Sequence, residues 1–257
     1  MIELRKRDEP KMLDIENLTV TVQGKKILKS LDMHVSSGET VALFGPNGSG
    51  KTSLLHTIMG FPGYTVETGA IQFKGEDITG MSIDKRAERG LGMAFQRPPA
   101  VRGVKLRDIL RMCVHRREDV DEAAISRYVQ KLNLDEFQDR DINLGFSGGE
   151  IKRSELVQLL AQGPDFTMFD EPDSGVDLVS IHLVGAVINE LLQRGDGPCK
   201  KIKSGLIISH AGHILEYVNA DRAYVILDGR LHCSGNPRDI LDNIKSKGYE
   251  GCITCLR

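Results

Sequence analysis

Eight consecutive residues, Gly45-Pro46-Asn47-Gly48-Ser49-Gly50-Lys51-Thr52, have the make-up of a phosphate cradle. They match G-x-x-x-x-G-K-[ST] at every fixed position. Glycines let backbone N–H groups turn inward around an anion with no Cβ in the way. A helix that starts at the end of such a loop adds the partial positive charge of its N-terminus, and Ser53 falls in that first turn. Lys51 has the length and charge to reach β- and γ-phosphates. The hydroxyl of Thr52 suits Mg²⁺. The chemistry implied is phosphoryl transfer from a nucleoside triphosphate.

Two further segments carry groups that such a reaction needs. Phe166-Thr167-Met168-Phe169-Asp170-Glu171 is an apolar strand ending in two acids. A parallel strand delivers residues at its carboxyl end into the ligand crevice. Asp170 is placed to hold Mg²⁺, directly or through water. Glu171 is placed to polarise the attacking water as a general base. Upstream, Phe146-Ser147-Gly148-Gly149-Glu150 sets a hydroxyl and two glycines at a helix start, a second anion-binding terminus. One of these phosphate devices lies in the core and the other in an insertion. Two copies of the chain would bring them together, Ser147, Gly148 and Gly149 of each facing the γ-phosphate held by Lys51 of the other.

The elements that must position these groups are legible as periodicities. Leu13 to Val22 alternates like a half-buried strand, and 25–35 reads as its hairpin partner through Gly24. Thr40 to Phe44 is a short apolar strand running into the Gly-rich loop, and Lys51 to Met59 is helical. Further apolar segments at 91–95, 166–170, 205–209 and 223–227 are separated by helical patterns, which predicts a parallel sheet with crossover helices. The clearest helix is 178–193, where Leu178, Ile181, Leu183, Val184, Ile188, Leu191 and Leu192 largely share a face. Residues 97–163 read as a mostly helical insertion, with helices over 105–113 and 121–132 and a third from about Gly149. The expected organisation is one domain: an α/β core over 12–96 and 164–249, the helical insertion over 97–163, and a tail over 250–257. Arg194 to Lys203, containing Pro198, reads as an exposed loop.

Composition narrows the function classes. The 257 residues are 40% hydrophobic and 27% charged, as in an ordinary globular protein. A formal net charge of −2 argues against nucleic acid as a partner. No apolar run approaches the length of a membrane span, and the charged stretch Met1 to Met12 lacks a signal-peptide core. The expectation is a cytoplasmic protein that meets a membrane only through a partner. Five scattered cysteines do not form a disulfide framework. Cys252-Ile253-Thr254-Cys255 is a C-x-x-C in a tail and supplies only two of the four ligands a structural metal needs; His232-Cys233 could complete a site only if the tail folds back.

Taken together, the Gly45–Thr52 loop, the Ser147-Gly148-Gly149 motif and the strand ending in Asp170-Glu171 resemble the ATP-binding cassette (ABC) family, over nearly the whole chain. The resemblance implies a P-loop ATPase with a RecA-like core, an N-terminal antiparallel β-subdomain and an inserted helical subdomain. It also implies roles for further residues. Gln96 matches the Q-loop glutamine that senses Mg²⁺ and the partner. His210, after Ile207-Ile208-Ser209, matches the switch histidine at the γ-phosphate. Ser174-Gly175-Val176-Asp177 matches the D-loop at the dimer interface. ATP and Mg²⁺ are the implied ligands, held in an isologous pair of cassettes. Many members stack adenine on an aromatic in the N-terminal strands, but no Phe, Tyr or Trp precedes Phe44, and Val22 or Gln23 takes that place.

Within the family, several segments look like SufC, the ATPase of the Suf iron–sulfur cluster assembly machinery. They are Met93-Ala94-Phe95-Gln96 followed by Gly103-Val104, Gly145 to Glu150 with Lys152-Arg153, and Asp173 to Asp177. Phe146 stands where transporters usually have leucine, and Glu150 where they usually have glutamine. Pro172, by contrast, follows the acid pair as in many transporters. The implied partner is a β-helical scaffold of SufB/SufD type, docking on the insertion and on Arg97 to Arg107, which Pro98-Pro99 keeps extended. The competing readings are the nucleotide-binding subunit of a membrane transporter and a nucleotide-sensing module with little turnover. Glu171 and His210 speak against the last.

Overall fold

Two long strands, β1 (Lys11–Val22) and β2 (Lys25–Ser36), fold back on each other through Gln23 and Gly24. Both turn residues have positive φ, 50° and 78°, as a tight hairpin requires. The computed structural model describes residues 10–114, 122–194, 203–209, 212–249 and 251. Beside β1 lies β4 (Thr65–Phe73), followed by the two-residue β5 (Glu76–Asp77), giving an antiparallel sheet of order β2-β1-β4-β5. The sequence reading did not assign these two strands. Gly69, at φ 90°, sits where the register of β4 against β1 slips between Glu16 and Thr19. A Cβ there would lie 2.4 Å from the carbonyl oxygen of Glu16. The bulge breaks the alternation that marks a strand.

The second sheet has six strands in the order β10-β9-β3-β8-β7-β6. These are β3 (Thr40–Phe44), β6 (Leu91–Ala94), β7 (Phe166–Asp170), β8 (Ser204–Ile208), β9 (Arg222–Leu227) and β10 (Arg230–Gly235). All neighbours are parallel except the β9–β10 hairpin. Every residue of β3, β6, β7 and β8 is buried, which is why they read as continuous apolar runs. The strand β3 that leads into the Gly-rich loop and the strand β7 that ends in acids both flank β8. Their carboxyl ends therefore open on the same edge of the sheet.

Helices cover both faces: α1 (Lys51–Met59), α2 (Ile83–Glu88), α3 (Leu106–Val114), α4 (Glu122–Lys131), α5 (Gly148–Gln162), α6 (Leu178–Leu191) and α7 (Pro237–Lys247). Leu54, Leu55 and Ile58 of α1 pack with the first sheet and with Met168 and Leu206. Leu110, Val129, Leu156 and Val157 of α3 to α5 share a second cluster with Val184 and Ile188 of α6 and with Phe169 and Ile207. Alternate residues of β7 thus feed opposite faces of the sheet. The helices α2 and α7 were not expected. α7 carries a readable start, since Asn236 caps it by accepting from the amides of Arg238 and Asp239 ahead of Pro237. α3 begins at Leu106, so Arg107 is helical, and a turn at Arg102 and Gly103, the latter at φ 77°, interrupts the expected extended stretch after Gln96. Among the described residues, no helix is long and apolar enough to cross a membrane.

Candidate active site

The Gly-rich loop is shaped by steric necessity at two points. Gly50 caps α1 at φ 106°, a conformation that side chains rarely adopt. At Gly45, a Cβ would sit 2.4 Å from the Ile226 carbonyl oxygen of β9 and 2.6 Å from Ser49 Oγ. Pro46, Asn47 and Gly48 are exposed at the tip. The first-turn amides of α1, from Lys51 to Ser53, have no intrahelical acceptor in such geometry, and that turn itself contains no acidic residue. Lys51 is buried, and its Nζ donates to the carbonyls of Gly45 (2.8 Å) and Pro46 (3.0 Å). Burial lowers its pKa, opposed by Glu171 and Asp170.

Asp170 ends β7 and is 1% exposed. Burial pushes its carboxyl above the usual carboxylate range, opposed first by a hydrogen bond from Thr52. Its Oδ1 is buried with no hydrogen-bond partner. A buried carboxylate oxygen left open beside a hydroxyl is a donor set that fits a hard divalent cation such as Mg²⁺. The next residue, Glu171, is held at φ 51°, a left-handed backbone unusual for a non-glycine, with its amide bonded to the Ile208 carbonyl at 3.1 Å. Its carboxylate accepts from Gln96 Nε2, which reaches it from the segment after β6. The structure thus brings Lys51, Thr52, Asp170, Glu171 and Gln96 together. His210 lies outside the described residues, as do Cys252 and Cys255.

The Ser147 motif stands apart from that group. Ser147 caps α5 in a reciprocal box: its Oγ accepts from the Glu150 amide, and Glu150 Oε2 accepts from the Ser147 amide at 2.7 Å. Ser147 and Gly148 are exposed. Gly148 lies against the D-loop candidate, so that a Cβ on it would be 2.6 Å from the Gly175 carbonyl oxygen. Asp177 accepts from the amide and hydroxyl of Ser180 at the start of α6. Phe146 packs edge-on against Phe137, with the Arg140 guanidinium over both rings.

Three residues near the site were given no part in it from the sequence, although Lys152 was named among the segments that carry the resemblance. Lys152 and Glu155 of α5 are buried against the segment that carries Gln96. Burial pushes the Glu155 carboxyl up to about 7, opposed by Lys152. Ser209 donates to Asp173 at 3.0 Å and ties the end of β8 to the segment after Glu171. An i, i+3 pair of opposite charges on an otherwise apolar helix face was the available signal for the first two.

The Gln23–Gly24 turn is exposed and Val22 half-buried, so a nucleotide base would meet no aromatic there. Losing a base stack weakens binding by about 1–3 kcal/mol, and the loss applies to any purine. ATP and GTP are therefore expected to bind with comparable affinity, as titration of each against the protein would measure. A strong preference for ATP would overturn this.

A family model described as "ABC transporter" matches residues 28–174. The chain is similar to Vegetative protein 296 of Bacillus subtilis (strain 168), at 36% identity over 93% of this chain and 92% of that protein. It is 34% identical to a "Probable ABC transporter ATP-binding protein" of Streptococcus pyogenes serotype M3, over 93% and 94% of the two chains. It is 33% identical to "Probable ATP-dependent transporter ycf16" of Cyanophora paradoxa, over 95% of each. Among solved structures, a nucleotide-free ATP-binding cassette from an ABC transporter superposes with TM-score 0.73, at 24% identity over 92% of this chain and 96% of that one. At that identity the likeness speaks for the fold.

Proposed function

This chain belongs to the ABC transporter family of ATP-binding cassette ATPases, and from that premise we propose that it is a nucleotide-binding subunit that hydrolyses ATP to move a separate partner. The observation that carries the chemistry is the meeting of the open Asp170 Oδ1, Thr52, Gln96 and Glu171 at the mouth of the Gly-rich loop. Lys51 leaves the carbonyls of Gly45 and Pro46 to take the β- and γ-phosphates. Thr52, Asp170 and Gln96 would hold Mg²⁺, which supplies charge neutralisation on the phosphate oxygens. Gln96 and Glu171 orient a water. Glu171 takes its proton as the water oxygen bonds to the γ-phosphorus and the β–γ bridge breaks, leaving ADP and phosphate. A second copy of the chain supplies Ser147, Gly148 and Gly149 to the same γ-phosphate, with Asp177 at that interface, and His210 is the residue read as contacting that phosphate. ATP can close the pair only by its differential affinity for the closed state.

The partner docks on the helical stretch 97–163. A largely apolar groove of about 450 Å³ runs there between Met93, Phe95, Pro98, Val101, Ile109 and Leu159. The names of relatives at 33–34% identity support a membrane transporter as the partner, with this chain on its cytoplasmic side. A second reading, a soluble SufB/SufD-like scaffold, is favoured by the residues that depart from the transporter pattern. Of these, Phe146 and Glu150 are built into the site through the Arg140 stack and the capping box.

Capture of the tagged chain from its own cells, from both aqueous and detergent extracts, separates the two. Co-purification of a membrane-spanning protein is the expected result for the transporter. A soluble partner carrying iron and sulfide would replace that reading with cluster assembly and leave the ATPase chemistry standing.

A further inference from the structure

The segment that delivers Gln96 is gripped from α5. The Phe95 amide donates to Glu155 Oε1 at 2.5 Å, and Lys152 Nζ donates to the carbonyls of Phe95 and, at 3.2 Å, Gln96. On its other side Phe95 meets Phe61 edge to face, ring centres 5.8 Å apart. Glu155 is 6% exposed, and its second oxygen has no hydrogen-bond partner, with Lys152 Nζ 3.9 Å away. A carboxylate buried with one oxygen unsatisfied is a poor way to stabilise a helix, because an apolar side chain of the same volume avoids the desolvation cost. What an apolar side chain cannot do is accept the Phe95 N–H. That bond sets the backbone one residue ahead of Gln96, whose Nε2 lies on Glu171.

We propose that Glu155 is a positioning residue for ATP hydrolysis: by holding the Phe95 amide it sets where the Gln96 side chain meets Glu171. This rests on the reading of Gln96 and Glu171 as residues of the hydrolytic site. Glu155 touches no reacting atom and acts through Gln96, with Lys152 holding the carbonyls of the same segment.

The test compares Glu155→Met, which keeps the volume and loses the acceptor, with Glu155→Gln, which keeps an acceptor for the Phe95 amide. Both are read beside Gln96→Ala and the Glu155→Met/Gln96→Ala pair. Steady-state phosphate release with Mg-ATP is expected to fall about 10-fold in kcat for Glu155→Met, within the roughly 100-fold that misplacing a reacting group can cost, with KM changed far less. Glu155→Gln is expected to stay near the native rate. The double variant is expected to be no slower than Gln96→Ala alone, since the two residues act in one chain of contacts. Backbone hydrogen exchange at Phe95, in protein without nucleotide, should be slow in the native chain and in Glu155→Gln and fast in Glu155→Met.

Native turnover in Glu155→Met with Gln96→Ala slow would overturn the proposal and leave the Gln96 reading intact. Losses that multiply in the double variant would also overturn it, because they mark independent effects. Native turnover in Gln96→Ala would remove the Gln96 reading and the proposal with it. If the thermal midpoint shows that Glu155→Met does not fold, the native chain decides: an unprotected Phe95 amide refutes the proposal.

Discussion

Replacing Glu171 by Gln is expected to slow ATP hydrolysis by about 100-fold or more while nucleotide still binds, the loss usual for a general base. The amide has nearly the shape of the carboxylate and can keep the contact with Gln96 Nε2 through its oxygen. It cannot take the proton from the attacking water. Glu171 is buried just after β7, with a left-handed φ of 51° and its amide bonded to the Ile208 carbonyl. Neither depends on the side-chain charge, so the fold should survive. Phosphate release measured beside equilibrium ATP affinity separates the effects. Unchanged turnover would remove Glu171 from the role of base.

Gly148→Ala is expected to lower turnover about 10-fold or more, somewhat less than the usual cost of deleting one preorganised donor, while leaving ATP affinity of the single chain close to native. The reason is steric. The added methyl would lie 2.6 Å from the Gly175 carbonyl oxygen, a backbone atom that cannot rotate away. Either the start of α5 or the segment after Glu171 must shift. The first-turn amides of α5 are the groups proposed to meet the γ-phosphate bound by the other copy. The Gly-rich loop of the same chain is built from β3 and α1 and is not in that contact. Loss of hydrolysis with retained binding is the expected split. Native turnover in this variant would exclude the Ser147 motif from the reaction.

Much of this was legible in residue order because the controlling physics is local. The strand–loop–helix unit from Thr40 to Met59 was read with the bounds the structure has, since burial of β3 on both faces demands apolar residues and the loop demands glycines at fixed places. The same holds for β7 and its terminal acids. Where local signals conflict, the reading stopped short. Gly69 hid β4 behind a bulge, and the two-residue β5 is too short to carry a pattern.

The sequence by itself determined which groups the proposed chemistry draws on: a Gly-rich loop ending in Lys51 and Thr52, the acids Asp170 and Glu171, and a helix start at Ser147. Only the tertiary structure decided how these groups stand to one another. Strand order places β3 and β7 on either side of β8, so residues far apart in the chain share one sheet edge. Packing of α5 against the segment after β6 put Lys152 and Glu155 under Phe95 and Gln96. A buried ion is costly unless neighbouring groups satisfy it, and those neighbours come from distant parts of the chain that periodicity does not record.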